Sequence, residues 1–254
     1  MNYSSVSSNE AFMLSLVKKG GFTTFGVSDI AHLSGWDRSR IHNTLASLLR
    51  KGTVIRVRRG RYALTENITE NILQISTDLI KPSYISFWTA LSHYGFTEQQ
   101  VRNVQLVSTK QIGKITIGDY GVEIITLKSS RFFGYVRTEG FVIAEPEKAL
   151  IDSLFRPDLC GGLDEFAKCL EYAWIGLEES KLVQYAIGFD NKSLISRLGH
   201  LIETLELETR EIDRLLSERS RSYVSLDPEA KRLGEYDRRW RVIVNHKIDR
   251  ERIR

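Results

Sequence analysis

Apolar residues recur at helical spacing in three short blocks near the start of the chain. Phe12, Met13, Leu16 and Val17 form the first, ended by Gly20-Gly21, and Ser7 with Glu10 has the spacing of a capping box. A first helix is predicted over about 9–19. In the second block Ser28 is placed as a cap, Ile30, Ala31 and Leu33 are expected to face inward, and Gly35 ends the run. Trp36 is expected to plug the corner, and Asp37 to cap a third helix. That helix carries Ile41, Leu45, Leu48 and Leu49 on one stripe and closes at Gly52. Two helices joined by about three residues with a glycine form the helix-turn-helix pattern. Past Gly52, two β-rich runs flank Arg58-Arg59-Gly60-Arg61 and predict a hairpin turning at Gly60.

Further along, Ile68, Ile72, Ile75 and Leu79 predict a helix across 67–80, stopped by Lys81-Pro82. Residues 83–95 read as a helix with Tyr84, Phe87, Trp88 and Tyr94 as core aromatics. Strand-like runs follow at 104–109, 114–117, 122–127, 132–136 and 141–143. Residues 144–152 open another helix with Pro146 in its first turn, and helical periods dominate 164–207. The tail carries the apolar run 240–245. The expected fold class is α+β: a winged helix-turn-helix domain over 1–66, a connecting helix over 67–82, and a mixed α/β domain over 83–254 with helices weighted to its second half.

The 254 residues hold 42% hydrophobic and 27% charged side chains, a balance typical of soluble globular chains. No apolar stretch approaches the ~20 residues of a bilayer span, so no membrane partner is expected. The N-terminal stretch lacks the pattern of a signal peptide. The two cysteines, Cys160 and Cys169, cannot build a disulfide framework. A reducing, cytoplasmic setting is the expectation. Charge is segregated: residues 1–66 carry a net +6, residues 67–209 a net −6 and residues 210–254 a net +4. A basic head points to a polyanionic partner.

Opposite the apolar stripe of the third helix lie Ser39, Asn43, Ser47 and Arg50, with Arg40 at the edge and Arg38 at the helix start. Asn pairs with an adenine edge, Arg with guanine, and Ser with base or phosphate. Arg56, Arg58, Arg59 and Arg61 make the hairpin a compact cationic feature, like a wing laid along phosphates. These ten residues are the candidate duplex-DNA contacts; the bland reading is a small helical core with a solvated charged face. In the body, Glu145, Glu147, Lys148 and Asp152 could hold Mg²⁺ for phosphodiester cleavage, or merely place acids at a helix N-terminus. The second reading is preferred, because Pro146 stands where a nuclease wants a carboxylate. Histidines are scattered, and no glycine-rich phosphate loop or Asp-x-Asp pair occurs. No catalytic residue, metal or cofactor is therefore assigned, and the chain is expected not to be an enzyme.

The order of motifs resembles the AbiEi-type antitoxins of type IV toxin–antitoxin systems. The resemblance rests on the helix-turn-helix head followed by PSYISFWTALSHYG (82–95), VQLVSTK (104–110), FFGY (132–135), AEPEKALIDSLF (144–155), SLISRLGHLIETL (193–205) and RRWRVIVN (238–245). It implies a bifunctional protein whose head represses its own operon at inverted repeats and whose C-terminal domain neutralises a nucleotidyltransferase-like toxin. By that resemblance Ser39, Arg40, Asn43 and the wing arginines carry the DNA role. The alternatives are a stand-alone winged-helix repressor, a ligand-responsive repressor, and a metal-dependent nuclease.

Overall fold

Caps decide where the helices of the first sixty residues begin. The structure, a computed structural model, describes residues 6–99, 103–138 and 140–248; the first residues of the N-terminal stretch and the last basic residues of the tail lie outside these. Helix α1 (Ser8–Lys19) starts at a complete capping box, with the Ser7 hydroxyl accepting from the Glu10 amide and the Glu10 carboxylate accepting from the Ser7 amide at 2.6 Å. Helix α2 (Val27–Ser34) is capped at Gly26 rather than Ser28, because the Asp29 carboxylate takes the Gly26 amide at 2.8 Å. Leu33 is exposed, contrary to expectation, since two turns laid across a small core enclose one position fully, and that is Ile30. Helix α3 (Arg38–Arg50) begins where the Asp37 carboxylate accepts from the Arg40 amide at 2.9 Å, and it buries Ile41, Thr44, Leu45 and Leu48. Strands β1 (Val54–Arg58) and β2 (Arg61–Leu64) form the antiparallel hairpin, turning through Gly60 at φ 76°. Phe25 pairs with Tyr62 through two backbone hydrogen bonds of 2.8 Å and ties the segment before α2 to the hairpin.

Helix α4 (Ile68–Leu79) buries Ile68, Ile72, Ile75 and Leu79. The stretch expected as one helix over 83–95 divides into β3 (Ser83–Ile85) and α5 (Phe87–His93). Pairing on both sides overrides the local helical pattern, because β3 lies between β4 (Asn103–Ser108) and β8 (Val142–Ala144). With β5 (Ile115–Ile117), β6 (Tyr120–Thr126) and β7 (Tyr135–Arg137) they form a six-stranded mixed sheet in the order β5-β6-β4-β3-β8-β7. Residues 104–108 of β4 are buried at every position, as in a strand covered on both faces. The strand expected over 132–136 is shorter, since Gly134 at φ 69° bends the chain away over the Lys148 side chain.

Helix α6 (Pro146–Phe155) is the hub of the body. Its residues 147–154 are all buried, and it packs against α5, α7 (Leu163–Ala173), α8 (Glu179–Gly188) and α9 (Lys192–Thr204). After α10 (Ile212–Glu218), the tail forms β9 (Val224–Ser225), β10 (Glu235–Asp237) and β11 (Val242–Val244), a sheet in the order β10-β11-β9. The architecture is mixed α+β, with ten α-helices and three sheets among the described residues. No helix among them is long and apolar enough to cross a membrane.

Two apolar cores result. The smaller gathers Met13, Val17, Phe25, Ile30, Ile41, Leu45 and Leu48 with Val54, Tyr62 and Leu64 of the hairpin. The larger fills the body and also takes Val57 and Ala63 from that hairpin, with Ile55 packed against it. The β1–β2 ribbon is thus shared, one set of side chains turned to each core.

Candidate nucleic-acid interface

The apolar stripe of α3 is spent on the smaller core, so its other face meets solvent. Arg38, Ser39, Asn43 and Arg50 are all exposed there. Arg40 is exposed as well, but its guanidinium lies 4.0 Å from the Trp36 ring centroid and donates to Asn9 Oδ1 at 2.6 Å. Two contacts therefore fix the direction of a side chain that still has further N–H donors to offer. Trp36 is half-buried, its ring 5.3 Å from that of Phe12, so the corner between α2 and α3 is filled as expected.

Ser47 departs from the expected outward set. It is half-buried, and its hydroxyl bonds the Glu10 carboxylate of α1. Glu10 also pairs with Lys51 at 2.7 Å, and the Lys51 ammonium, the Ser7 amide and Ser47 hold its carboxyl well down, at about 2. The C-terminal part of α3 is thereby clamped to α1, and the open part of its outer face is the N-terminal half. A helical projection alone could not show that a neighbouring helix covers Ser47.

The four hairpin arginines do not act alike. Arg56 and Arg59 are exposed and have no hydrogen bond or ion pair among the described residues. Arg61 pairs with Asp29 at 2.8 Å and donates to the carbonyl and hydroxyl of Thr24 at 2.9 and 2.8 Å. Arg58 donates to the Leu79 carbonyl at the end of α4 at 2.7 Å. Two of the four arginines thus fasten the hairpin to its neighbours. They remain on the wall of a cleft of about 390 Å³, together with Thr24, Asp78, Leu79 and Lys81. Lys81 brings a cation from the body, and in the sequence it registered only as half of a helix-stopping dipeptide.

The acidic cluster of the body does not converge on one open point. Lys148 and Asp152 form a fully buried ion pair. The Asp152 carboxylate also accepts from the Ser86 hydroxyl at 2.8 Å and the Tyr84 hydroxyl at 3.1 Å, and Lys148 Nζ donates to the Tyr84 hydroxyl at 2.9 Å. Burial pushes the Asp152 carboxyl up and the Lys148 ammonium down, and each charge opposes the shift of the other. Glu145 instead faces α8, pairing with Lys181 at 2.6 Å and accepting from the Tyr185 hydroxyl, and Glu147 accepts from the Glu178 amide at 3.1 Å. No group of three or more His, Cys, Asp or Glu residues suited to a metal occurs among the described residues. Tyr84 and Phe87 are fully buried and Trp88 and Tyr94 pack against the same core. Both cysteines are buried, which raises their thiols, Cys169 to about 12, and keeps them unreactive.

No family model matches the chain, and no curated protein matches its sequence. Among solved structures the fold is similar to that of the RV2827C protein from Mycobacterium tuberculosis. The TM-score is 0.69 at 13% identity, over 94% of this chain and 92% of the other. At that identity the likeness concerns the arrangement of the backbone.

Proposed function

We propose that the chain is a DNA-binding antitoxin that represses its own operon. In this reading α1–α3 and the β1–β2 hairpin act as a winged helix-turn-helix. The open N-terminal half of α3 enters the major groove of an operator with inverted repeats. The observation that carries it is the α3 face, where Arg38, Ser39 and Asn43 are exposed beside Arg40 while the apolar stripe is fully engaged. Arg56 and Arg59, on the adjacent ribbon without a partner among the described residues, supply phosphate contacts, and Arg58 and Arg61 position that ribbon. The body neutralises a cognate nucleotidyltransferase-like toxin; this part rests on the resemblance of its motifs to AbiEi-type antitoxins. The chain acts as a binding protein in the cytoplasm and is not an enzyme, since the carboxylates that could have served a nuclease are committed to internal partners.

Fluorescence anisotropy tests the DNA role, using a duplex from upstream of the gene and a scrambled duplex. Log affinity should fall with log salt by a slope of about −0.9 per phosphate neutralised. Asn43→Ala or Arg40→Ala should relax the preference at particular base pairs by about 1–3 kcal/mol. Arg56→Ala with Arg59→Ala should weaken both duplexes alike. Arg61→Ala should instead lower the melting temperature, because it removes the ion pair to Asp29 and the hydrogen bonds to Thr24. Unchanged binding after the Arg40, Asn43, Arg56 and Arg59 substitutions together refutes the reading. Co-expression with the neighbouring gene tests the toxin role, and failure to rescue growth leaves a repressor only.

A further inference from the structure

The body carries a second cationic concavity built from other elements. Lys192 at the start of α9, Ser217 near the end of α10, Arg219, Ser220 and Arg221 after it, and Arg241 before β11 line a pocket of about 250 Å³. Four of those six side chains are cations, and no carboxylate is among them. Some body cations sit beside a carboxylate, as Lys181 does beside Glu145, Arg156 beside Asp158 and Arg239 beside Glu203. Lys192, Arg219, Arg221 and Arg241 have no ion pair among the described residues.

Arg219 gives the second indication. One of its terminal nitrogens donates to the Leu216 carbonyl at 2.5 Å, which fixes the guanidinium plane at the pocket wall. Like charges gathered round one concavity also repel, and an entering anion removes that repulsion. Arg241, held at φ 57°, lies with its guanidinium 5.4 Å from the Tyr223 ring centroid, so a second cation is orientated by its surroundings.

We infer that this pocket binds a phosphate group. Guanidinium forks match the several acceptor oxygens of phosphate, which three arginines and a lysine can share better than they could a single carboxylate. The site is concave and so admits a phosphate group from one side. Such a group is supplied by a phosphorylated small molecule or by a nucleic-acid backbone. No residue of α3 or of the hairpin lines the pocket, so its occupancy is separable from operator binding.

Calorimetric titration of the full chain with pyrophosphate, against chloride at matched ionic strength, tests this. Saturable binding is expected for pyrophosphate alone. Lys192→Ala with Arg221→Ala, both exposed in the structure, should weaken it by about tenfold or more, as for lost charge-assisted hydrogen bonds. Arg221→Glu should abolish it, and circular dichroism should show both variants folded. Arg56→Ala with Arg59→Ala should leave it unchanged. A scrambled duplex that displaces pyrophosphate assigns the phosphate to a nucleic-acid backbone; a duplex that does not displace it assigns it to a small molecule. Absence of saturable binding, or binding undiminished in the folded pocket variants, overturns the inference.

Discussion

Glu10 shows how one side chain serves three ends. It completes the capping box of α1, pairs with Lys51 and takes the Ser47 hydroxyl, so it joins α1 to the end of α3. Its carboxyl is lowered from 4.5 to about 2. A group depressed in the folded state stabilises above its unfolded value and loses that contribution as pH falls through the folded one. Glu10→Gln should therefore lower stability at neutral pH, with the gap closing as acid is added below about pH 5. Urea unfolding at several pH values measures it, and a gap constant down to pH 3 would count against the clamp. The Lys148–Asp152 pair is a second case. Removing one partner leaves a buried charge, so Lys148→Met should cost about 3–5 kcal/mol. Lys148→Met with Asp152→Leu should recover part of that loss, and a double-mutant cycle from denaturant unfolding measures the coupling. From the sequence, Lys148 and Asp152 were visible as members of an acidic helix start or of a candidate metal-holding cluster, not as a buried pair. Tyr84 and Ser86 lie more than sixty positions earlier, and nothing local announces that they share a network.

Elements with a strong local pattern were legible, the hairpin and most strands of the large sheet among them, whereas β3 was hidden under a helical pattern. The stripe of α3 and its Asp37 cap follow from adjacent residues, as does the turn at Gly60. The helix read over 83–95 lost its first part to the sheet because β3 is hydrogen-bonded on both edges by distant strands. The run at 240–245 shows the same dependence. Trp240 is fully buried against α9, and a Cβ at Gly199 would stand 2.1 Å from its ring. Gly199→Ala should therefore cost about 1–3 kcal/mol or more through overpacking. Shortening the neighbour, as in Gly199→Ala with Trp240→Leu, should restore part of the loss. Thermal denaturation reads both, and an unaltered melting temperature for Gly199→Ala would mean that the contact is looser than the geometry requires.

At the scale of the molecule, the hairpin is the joint. Val57 and Ala63 belong to the body core, while Val54, Tyr62 and Leu64 belong to the head core. A head cut at residue 66 would expose Val57, Ala63 and the side chain of Ile55, which rests near Gly118. The isolated 1–66 fragment should accordingly melt lower than the full chain and bind duplex DNA more weakly. Scanning calorimetry and anisotropy check this, and an equally stable fragment with full affinity would show that the body contributes nothing to the head.

By itself the sequence determined the mixed α+β character, the caps of the first and third helices, the stripe of the third, and the segregation of charge. Each of these depends on residues within a few positions of one another or on composition. Only the tertiary structure decided which arginines stay unpartnered, which part of α3 is open, and where the body gathers its cations. Those outcomes depend on what a remote segment places against a side chain, as Asp29 does for Arg61 and the Leu79 carbonyl for Arg58. Spacing along a chain carries no record of such meetings, because they are made by packing across cores rather than along helices or strands.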